Sequence, residues 1–121
     1  SAGRICFRSA ISNYLYQARG VDCTPDQVLI GAGSDYILML LGMILGTEHM
    51  IAFEDPTYKQ AYRVIHTLGY ETVPVAMDRH GMKIQDLEST GADIAYVTPS
   101  HQYPTGIVMP IGRRMELLKW A

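Results

Sequence analysis

The feature that most restricts this chain is an alternation. Four short apolar runs, residues 27–30, 49–54, 71–75 and 94–98, stand between segments whose apolar residues recur at helical spacing. The runs are too short for helices and are bounded by glycine, proline or polar turn residues, so each is read as a buried strand. Helices are expected over residues 7–19, 36–45, 58–68, 84–88 and 110–121. In the first, Phe7, Ala10/Ile11, Tyr14/Leu15 and Ala18 make one apolar face, and Gly20 stands at the stop position. The second is apolar on nearly every face, which predicts burial between a sheet and another layer, with Ser34 as N-cap and Gly46 as stop. Pro74 cannot donate to a ladder on both sides, so residues 71–75 suit an edge. Strands joined through helices by short turns build βαβ units. The expected fold class is α/β, a three-layer αβα arrangement around a mainly parallel sheet.

Composition narrows the function classes. A chain of 121 residues supports one domain with one core. A hydrophobic share of 48% and a charged share of 18% are ordinary for a globular protein. The most apolar run, residues 37–45, is too short to cross a bilayer, and Ser1-Ala-Gly-Arg4 lacks a signal peptide's layout, so a cytoplasmic protein without membrane contact is expected. Cys6 and Cys23 form no CxxC or Cys/His zinc spacing, so they read as reduced thiols and no metal site is expected. The net charge is −2 and the only adjacent arginines are Arg113 and Arg114, which argues against nucleic-acid contact by this segment.

Chemistry concentrates in three loops at predicted strand C-termini: residues 31–35, 54–58 and 99–106. In a parallel sheet such loops share one edge, where open α/β folds place ligands. Gly31-Ala-Gly33-Ser34-Asp35 leads into a helix start, whose unpaired N–H groups and positive dipole end suit an anion. Ser100-His-Gln-Tyr-Pro-Thr-Gly106 offers hydroxyls, an imidazole, an amide and a phenol together. One option is a Rossmann-type site for NAD or S-adenosylmethionine, with Glu54 or Asp55 in the ribose-binding role. Against it, Tyr36 replaces the third glycine of the fingerprint, and a helix precedes the first strand.

A second option uses all three loops. The Gly33-Ser34-Asp35 helix start, Glu54-Asp-Pro-Thr-Tyr58 and Thr98-Pro-Ser-His-Gln-Tyr-Pro-Thr-Gly106 resemble the N-terminal part of the large domain of fold-type-I pyridoxal-phosphate (PLP) enzymes, the aspartate aminotransferase superfamily. More narrowly, Tyr14-Leu15, Arg19-Gly20, Gln27-Val28, the SHQYPTG loop, Met109-Pro110, Arg113-Arg114 and Leu117-Leu118 resemble the aminotransferase-like domain of MocR-type, GntR-family transcription regulators. The resemblance runs over essentially the whole chain. It implies that Gly33, Ser34 and Asp35 hold the PLP phosphate and that Tyr58 stacks on the pyridine ring. The family's asparagine before Pro-Thr-Gly is Tyr103 here, so its contact with the ring's phenolic oxygen falls to His101, Gln102 or Tyr103.

The same resemblance places an aspartate for the pyridine nitrogen, the Schiff-base lysine and a carboxylate-binding arginine after position 121. None of Lys59, Lys83 or Lys119 stands in a matching context. The expectation is a single partial domain over residues 1–121, a fragment with no catalytic residue of its own, inactive and cofactor-free alone. Its parent would be a regulator that takes an amino-acid substrate or effector, the alternative being a catalytic aminotransferase. The strand at 28–30 would lack its usual partner, so it is expected to pair with residues 94–98, or chains are expected to associate as a homo-oligomer.

Overall fold

The computed structural model describes residues 4–121. Its internal contacts divide it into two compact units, Ser1–Ile37 and Leu38–Ala121.

In the first unit, α1 spans Ile5–Arg19 and ends on Gly20, whose φ of 65° is the left-handed turn that a residue without a Cβ adopts freely. The Gly20 and Val21 N–H groups then satisfy the carbonyls of Tyr16 and Leu15 at 3.0 and 3.1 Å. A 3₁₀ turn, Pro25–Gln27, is capped reciprocally by Thr24 and Gln27. It is tied back to α1 where Arg8 Nη1 donates to the Pro25 carbonyl at 3.2 Å and the Ser12 hydroxyl to that of Cys23 at 2.5 Å. Two expectations are corrected in this unit. The strand at 27–30 is absent: Gln27 closes the 3₁₀ turn and Val28–Ile30 has no regular structure. A short extended run needs a neighbouring ladder to count as a strand, and residues 94–96 pair with another strand instead. Ser34 is the first helical residue and not the cap. Gly33, with φ 88°, takes the cap position and its carbonyl accepts from Ile37 N–H at 3.3 Å.

Helix α2, Ser34–Leu45, continues from the first unit into the second. There follow β1 (Met50–Asp55), α3 (Lys59–Thr67), β2 (Glu71–Asp78), β3 (Gly81–Met82), α4 (Ile84–Glu88), β4 (Ile94–Tyr96) and α5 (Ile111–Trp120). The sheet order is β3-β2-β1-β4; β1 pairs in parallel with β2 and β4, and β3 is antiparallel. Sequence periodicity missed the two-residue β3, which closes a hairpin through Asp78-Arg-His-Gly81, and placed the end of β4 two residues late. The edge expected from Pro74 is local. β3 meets β2 only at Met77 and Asp78, so Pro74, opposite Phe53 of β1, has no ladder partner on its outer side.

The alternation of β1 sorts its side chains to two cores. Ala52 joins Val75, Met82, Leu87 and Met109 on the face covered by α4 and α5. Ile51 and Phe53 join Ile65 and Tyr70, with Leu38 and Leu68, on the face covered by α2 and α3. The result is the three-layer arrangement that the pattern implied. α2 departs from it in one respect. Only Gly42 is buried, where its carbonyl accepts the Tyr70 hydroxyl, while Leu41, Met43 and Ile44 are 48%, 67% and 78% exposed. Within the second unit this all-apolar helix is covered on one side only.

Candidate functional site

Adjacent parallel strands deliver two of the three loops to the same edge of the sheet, because Phe53, two residues before β1 ends, pairs with Tyr96, the last residue of β4. A buried carboxylate fastens them. Glu54, 2% exposed, accepts from the Thr98 N–H at 2.9 Å and the Thr98 hydroxyl at 3.1 Å. A buried polar group needs such donors, and here they pin the exit of β4 to the end of β1.

The loop after β4 is folded on itself. Met109 N–H reaches the Pro99 carbonyl and Gln102 N–H reaches that of Ile107, both at 2.8 Å. Arg114 clasps its base through Nε to the Met109 carbonyl at 2.7 Å and Nη2 to that of Pro99 at 3.0 Å. At its centre Gln102, 2% exposed, donates Nε2 to the Pro56 carbonyl at 2.8 Å. Its Oε1 accepts from the Thr105 N–H at 3.1 Å and the Thr105 hydroxyl at 2.5 Å. Gln102 thus links the loop after β4 to the loop after β1, and both lone pairs of its amide oxygen are engaged.

That link brings Tyr58 and Tyr103 together edge to face, ring centroids 5.8 Å apart. Both rings stay accessible, at 41% and 64% exposure. The Asp55–Pro56 and Tyr103–Pro104 peptide bonds, one in each loop, are cis. His101 is exposed and holds φ 58°, a region that costs a residue with a Cβ about 1–3 kcal/mol unless its surroundings impose it. Of the residues expected around a cofactor, Tyr58 and Tyr103 are in ring contact, and His101 and Gln102 precede Tyr103 on the loop after β4, with Gln102 bonded to Pro56 and Thr105. Gly33, Ser34 and Asp35 lie in the first unit. There the N–H groups of Ser34, Asp35 and Tyr36 open α2, and no helical carbonyl precedes them to accept.

Sequence reasoning passed over Glu54, Thr105 and Arg114 as builders of this edge. Glu54 carried a legible signal, a carboxylate closing an otherwise apolar strand; Arg114 was weighed only as one of an adjacent basic pair. Its neighbour Arg113 grips the hairpin, with Nη2 on Asp78 Oδ2 at 2.9 Å and Nη1 on the Met82 carbonyl at 2.7 Å. The Arg113 guanidinium, and next the His80 N–H, hold the Asp78 carboxyl below its ordinary value. At the opposite, N-terminal ends of β1 and β4, His49 Nδ1 meets Asp93 Oδ2 at 2.5 Å, raising the imidazole's pKa and lowering the carboxyl's. Among the described residues no group of three His, Cys, Asp or Glu side chains could hold a metal ion, and no helix is long and apolar enough to cross a membrane. The nucleotide-binding alternative needs a strand running into Gly31, and that strand does not form.

No protein-family model matches the chain. The uncharacterized HTH-type transcriptional regulator YdeL of Bacillus subtilis is 41% identical over 98% of the chain and 26% of its own length. The regulatory protein MocR of Rhizobium meliloti is 34% identical over 93% of the chain and 23% of its own length. The chain is a homologue of the MocR-type regulators. It spans about a quarter of the length of these curated relatives. Among solved structures, the α-aminoadipate aminotransferase LysN of Thermus thermophilus, complexed with N-(5'-phosphopyridoxyl)-L-leucine, superposes with a TM-score of 0.85 and 27% identity, over 99% of the chain and 31% of LysN. The chain therefore carries part of the aminotransferase fold, and the expected family resemblance holds in both its parts: its homologues are regulators by sequence and its neighbours PLP aminotransferases by structure.

Proposed function

We propose that the chain is part of the aminotransferase-like domain of a MocR-type transcription regulator, and that its loops form one wall of a PLP pocket. The observation that carries the reading is the pair of loops at the C-terminal ends of β1 and β4, locked by Glu54 and Gln102 so that Tyr58 and Tyr103 present accessible rings.

The residues fit the group. PLP joins a planar pyridine to a dianionic phosphate. The ring of Tyr58 offers an offset-stacking partner, which contributes about 0.5–1.5 kcal/mol beyond area burial. The open N–H groups of Ser34 and Asp35, the Ser34 hydroxyl and the unencumbered turn at Gly33 offer donors at a helix's positive end. Tyr103 and His101 stand on the loop that would meet the ring's phenolic side, and Gln102 would hold that loop in place, its oxygen already engaged. When bound, PLP supplies an electron sink for bonds at an amino acid's α-carbon. Lys59 directly follows the stacking Tyr58 and opens α3, Lys83 is paired with Asp86 at 3.1 Å and Lys119 lies on α5 beside Glu116; none stands in the family's lysine context, so the reading assigns the covalent lysine to another part of the parent protein. Within that parent this segment would bind an amino-acid effector from one side and make no nucleic-acid contact. The open apolar side of α2 suits association with the rest of the parent or a second copy, in the cytoplasm.

An absorbance titration of the full-length protein with PLP tests this. Tyr58→Ala and Ser34→Ala are expected to weaken binding at least tenfold each, and undiminished affinity in both contradicts the pocket assignment. The second reading, a catalytic aminotransferase, is favoured by the aminotransferase neighbours. Specific DNA binding by the full-length protein decides for the regulator, and amino-acid-dependent turnover without it decides for the enzyme.

A further inference from the structure

The loop after β4 leaves the sheet at Pro99 and returns at Met109, and its two ends meet: the Met109 N–H donates to the Pro99 carbonyl at 2.8 Å. The Met109 side chain sinks into the core beside Val75, Met82 and Leu87. Between those ends Ser100, His101 and residues 103–106 are exposed, so hydrogen bonds rather than packing set their course. Arg114 spans the neck. Its Nε donates to the Met109 carbonyl at 2.7 Å, and its Nη2 to the Pro99 carbonyl at 3.0 Å and the Ser100 hydroxyl at 3.4 Å. One rigid planar fork thus holds both ends of the loop, which a single ammonium does not. All three side-chain bonds go to the loop, and among the described residues no carboxylate pairs with this guanidinium. Arg113, about 100° round the helix, turns instead to the hairpin, to Asp78 and the Met82 carbonyl. Neither placement serves α5. Both cations lie in its first turn, where the dipole favours anions, with no acidic residue there and no side-chain cap. Adjacent arginines at an unfavourable position, each spent on a different element, divide the work: one holds the hairpin and the other the loop.

We propose that Arg114 is a positioning residue of the site, acting through the loop neck to set where Tyr103 stands against Tyr58. The inference rests on the reading of these loops as one wall of a PLP pocket and extends that wall's support to α5. Arg114 contacts neither ring; its effect passes from Pro99 and Met109 along the loop to Tyr103, whose ring centroid lies 5.8 Å from that of Tyr58. Arg113, on the same turn and with as many bonds, has no part in it. The structure therefore separates two losses that a merely structural role would merge: Arg113 is needed for stability, and Arg114 for the shape of the wall.

Two measurements test it. The first needs no cofactor: the NOE between the Tyr58 and Tyr103 rings is expected to vanish in Arg114→Ala and to persist in Arg113→Ala, although Arg113→Ala unfolds at lower urea. The second is a PLP titration of the full-length protein, in which Arg114→Ala is expected to bind at least tenfold more weakly and Arg113→Ala within threefold of wild type. Guanidinium chloride far below denaturing concentration is expected to restore both signals in Arg114→Ala and to leave Tyr58→Ala unchanged. Arg114→Lys keeps the charge but not the fork, and is expected to recover less than half of the NOE intensity; it also serves as the readout should Arg114→Ala not fold. An intact NOE in Arg114→Ala, equal loss in the Arg113 and Arg114 variants, or full recovery by lysine overturns the proposal. So does unchanged PLP affinity in Arg114→Ala where Tyr58→Ala binds weakly. Unchanged affinity in Tyr58→Ala and Ser34→Ala as well overturns the pocket reading itself, which the cofactor-free NOE keeps distinct from the role of Arg114 in shaping the loop.

Discussion

Gln102→Ala is the most informative single perturbation, because one side chain joins both loops at the site. The substitution removes the bond to the Pro56 carbonyl at 2.8 Å and those from Thr105 N–H and Oγ1 at 3.1 and 2.5 Å. At about 0.5–1.5 kcal/mol net for each neutral hydrogen bond, these sum to about 1.5–4.5 kcal/mol. Thr105 and Pro56 border solvent, where water replaces part of the lost bonding, so the lower half of that range applies. The buried methylene adds about 0.8 kcal/mol, for a total of about 3 kcal/mol. Urea denaturation followed by far-UV circular dichroism measures it, and the Tyr58–Tyr103 ring contact, read as an NOE, is expected to vanish in the folded variant. Gln102→Glu sharpens the test. The carboxylate still accepts from Thr105 but sets oxygen against oxygen at Pro56, so it is expected to be destabilised at neutral pH and to recover when protonated. A cost under about 0.5 kcal/mol for Gln102→Ala, with the NOE intact, refutes the account of Gln102 as the link between the loops.

Two further outcomes follow from the ion pairs. Arg113→Ala removes the grip on Asp78 and on the Gly81 and Met82 carbonyls, and is expected to cost about 2–3 kcal/mol in the same denaturation assay, with Arg113→Lys recovering less than half because one ammonium cannot span the same acceptors. For His49 and Asp93 the pH dependence has a definite sign. The raised imidazole pKa gives a contribution fully present below its ordinary value of 6.5 and lost as pH rises through the higher folded value. The lowered Asp93 carboxyl gives one present above its ordinary value of 3.8 and lost as pH falls through the lower folded value. Thermal stability of wild type relative to His49→Asn is thus expected to be greatest between those limits and to shrink on either side. A difference that does not change with pH would show that the pair is not coupled to folding.

The parts legible in the sequence were those fixed by local pattern. β1 reads directly from its apolar run, and the clean two-residue alternation of Ile51, Ala52 and Phe53 between two cores explains why three layers could be expected. α1 and its stop follow from apolar spacing and a glycine that takes φ 65°. What failed depends on partners. Val28–Ile30 has a strand's composition but no ladder, and backbone pairing is a property of two segments. β3 is two residues long and exists through its hairpin and the grip of Arg113, neither of which has a period. At the site, residue types revealed the loops, while the division of labour within them did not follow from type. An amide that looked like a ligand contact turned out to span two loops, and a glutamate at a strand end pins their base, because hydrogen-bond partners 44 and 46 residues away are invisible to spacing.

The most direct test of the central claim is a crystal structure of the full-length protein grown with PLP. The account predicts the pyridine ring against Tyr58, the phosphate on the N–H groups of Ser34 and Asp35 at the start of α2, and Gln102 still bonded to the Pro56 carbonyl and Thr105. A cofactor lodged away from Tyr58, with its phosphate held by other residues, would contradict it.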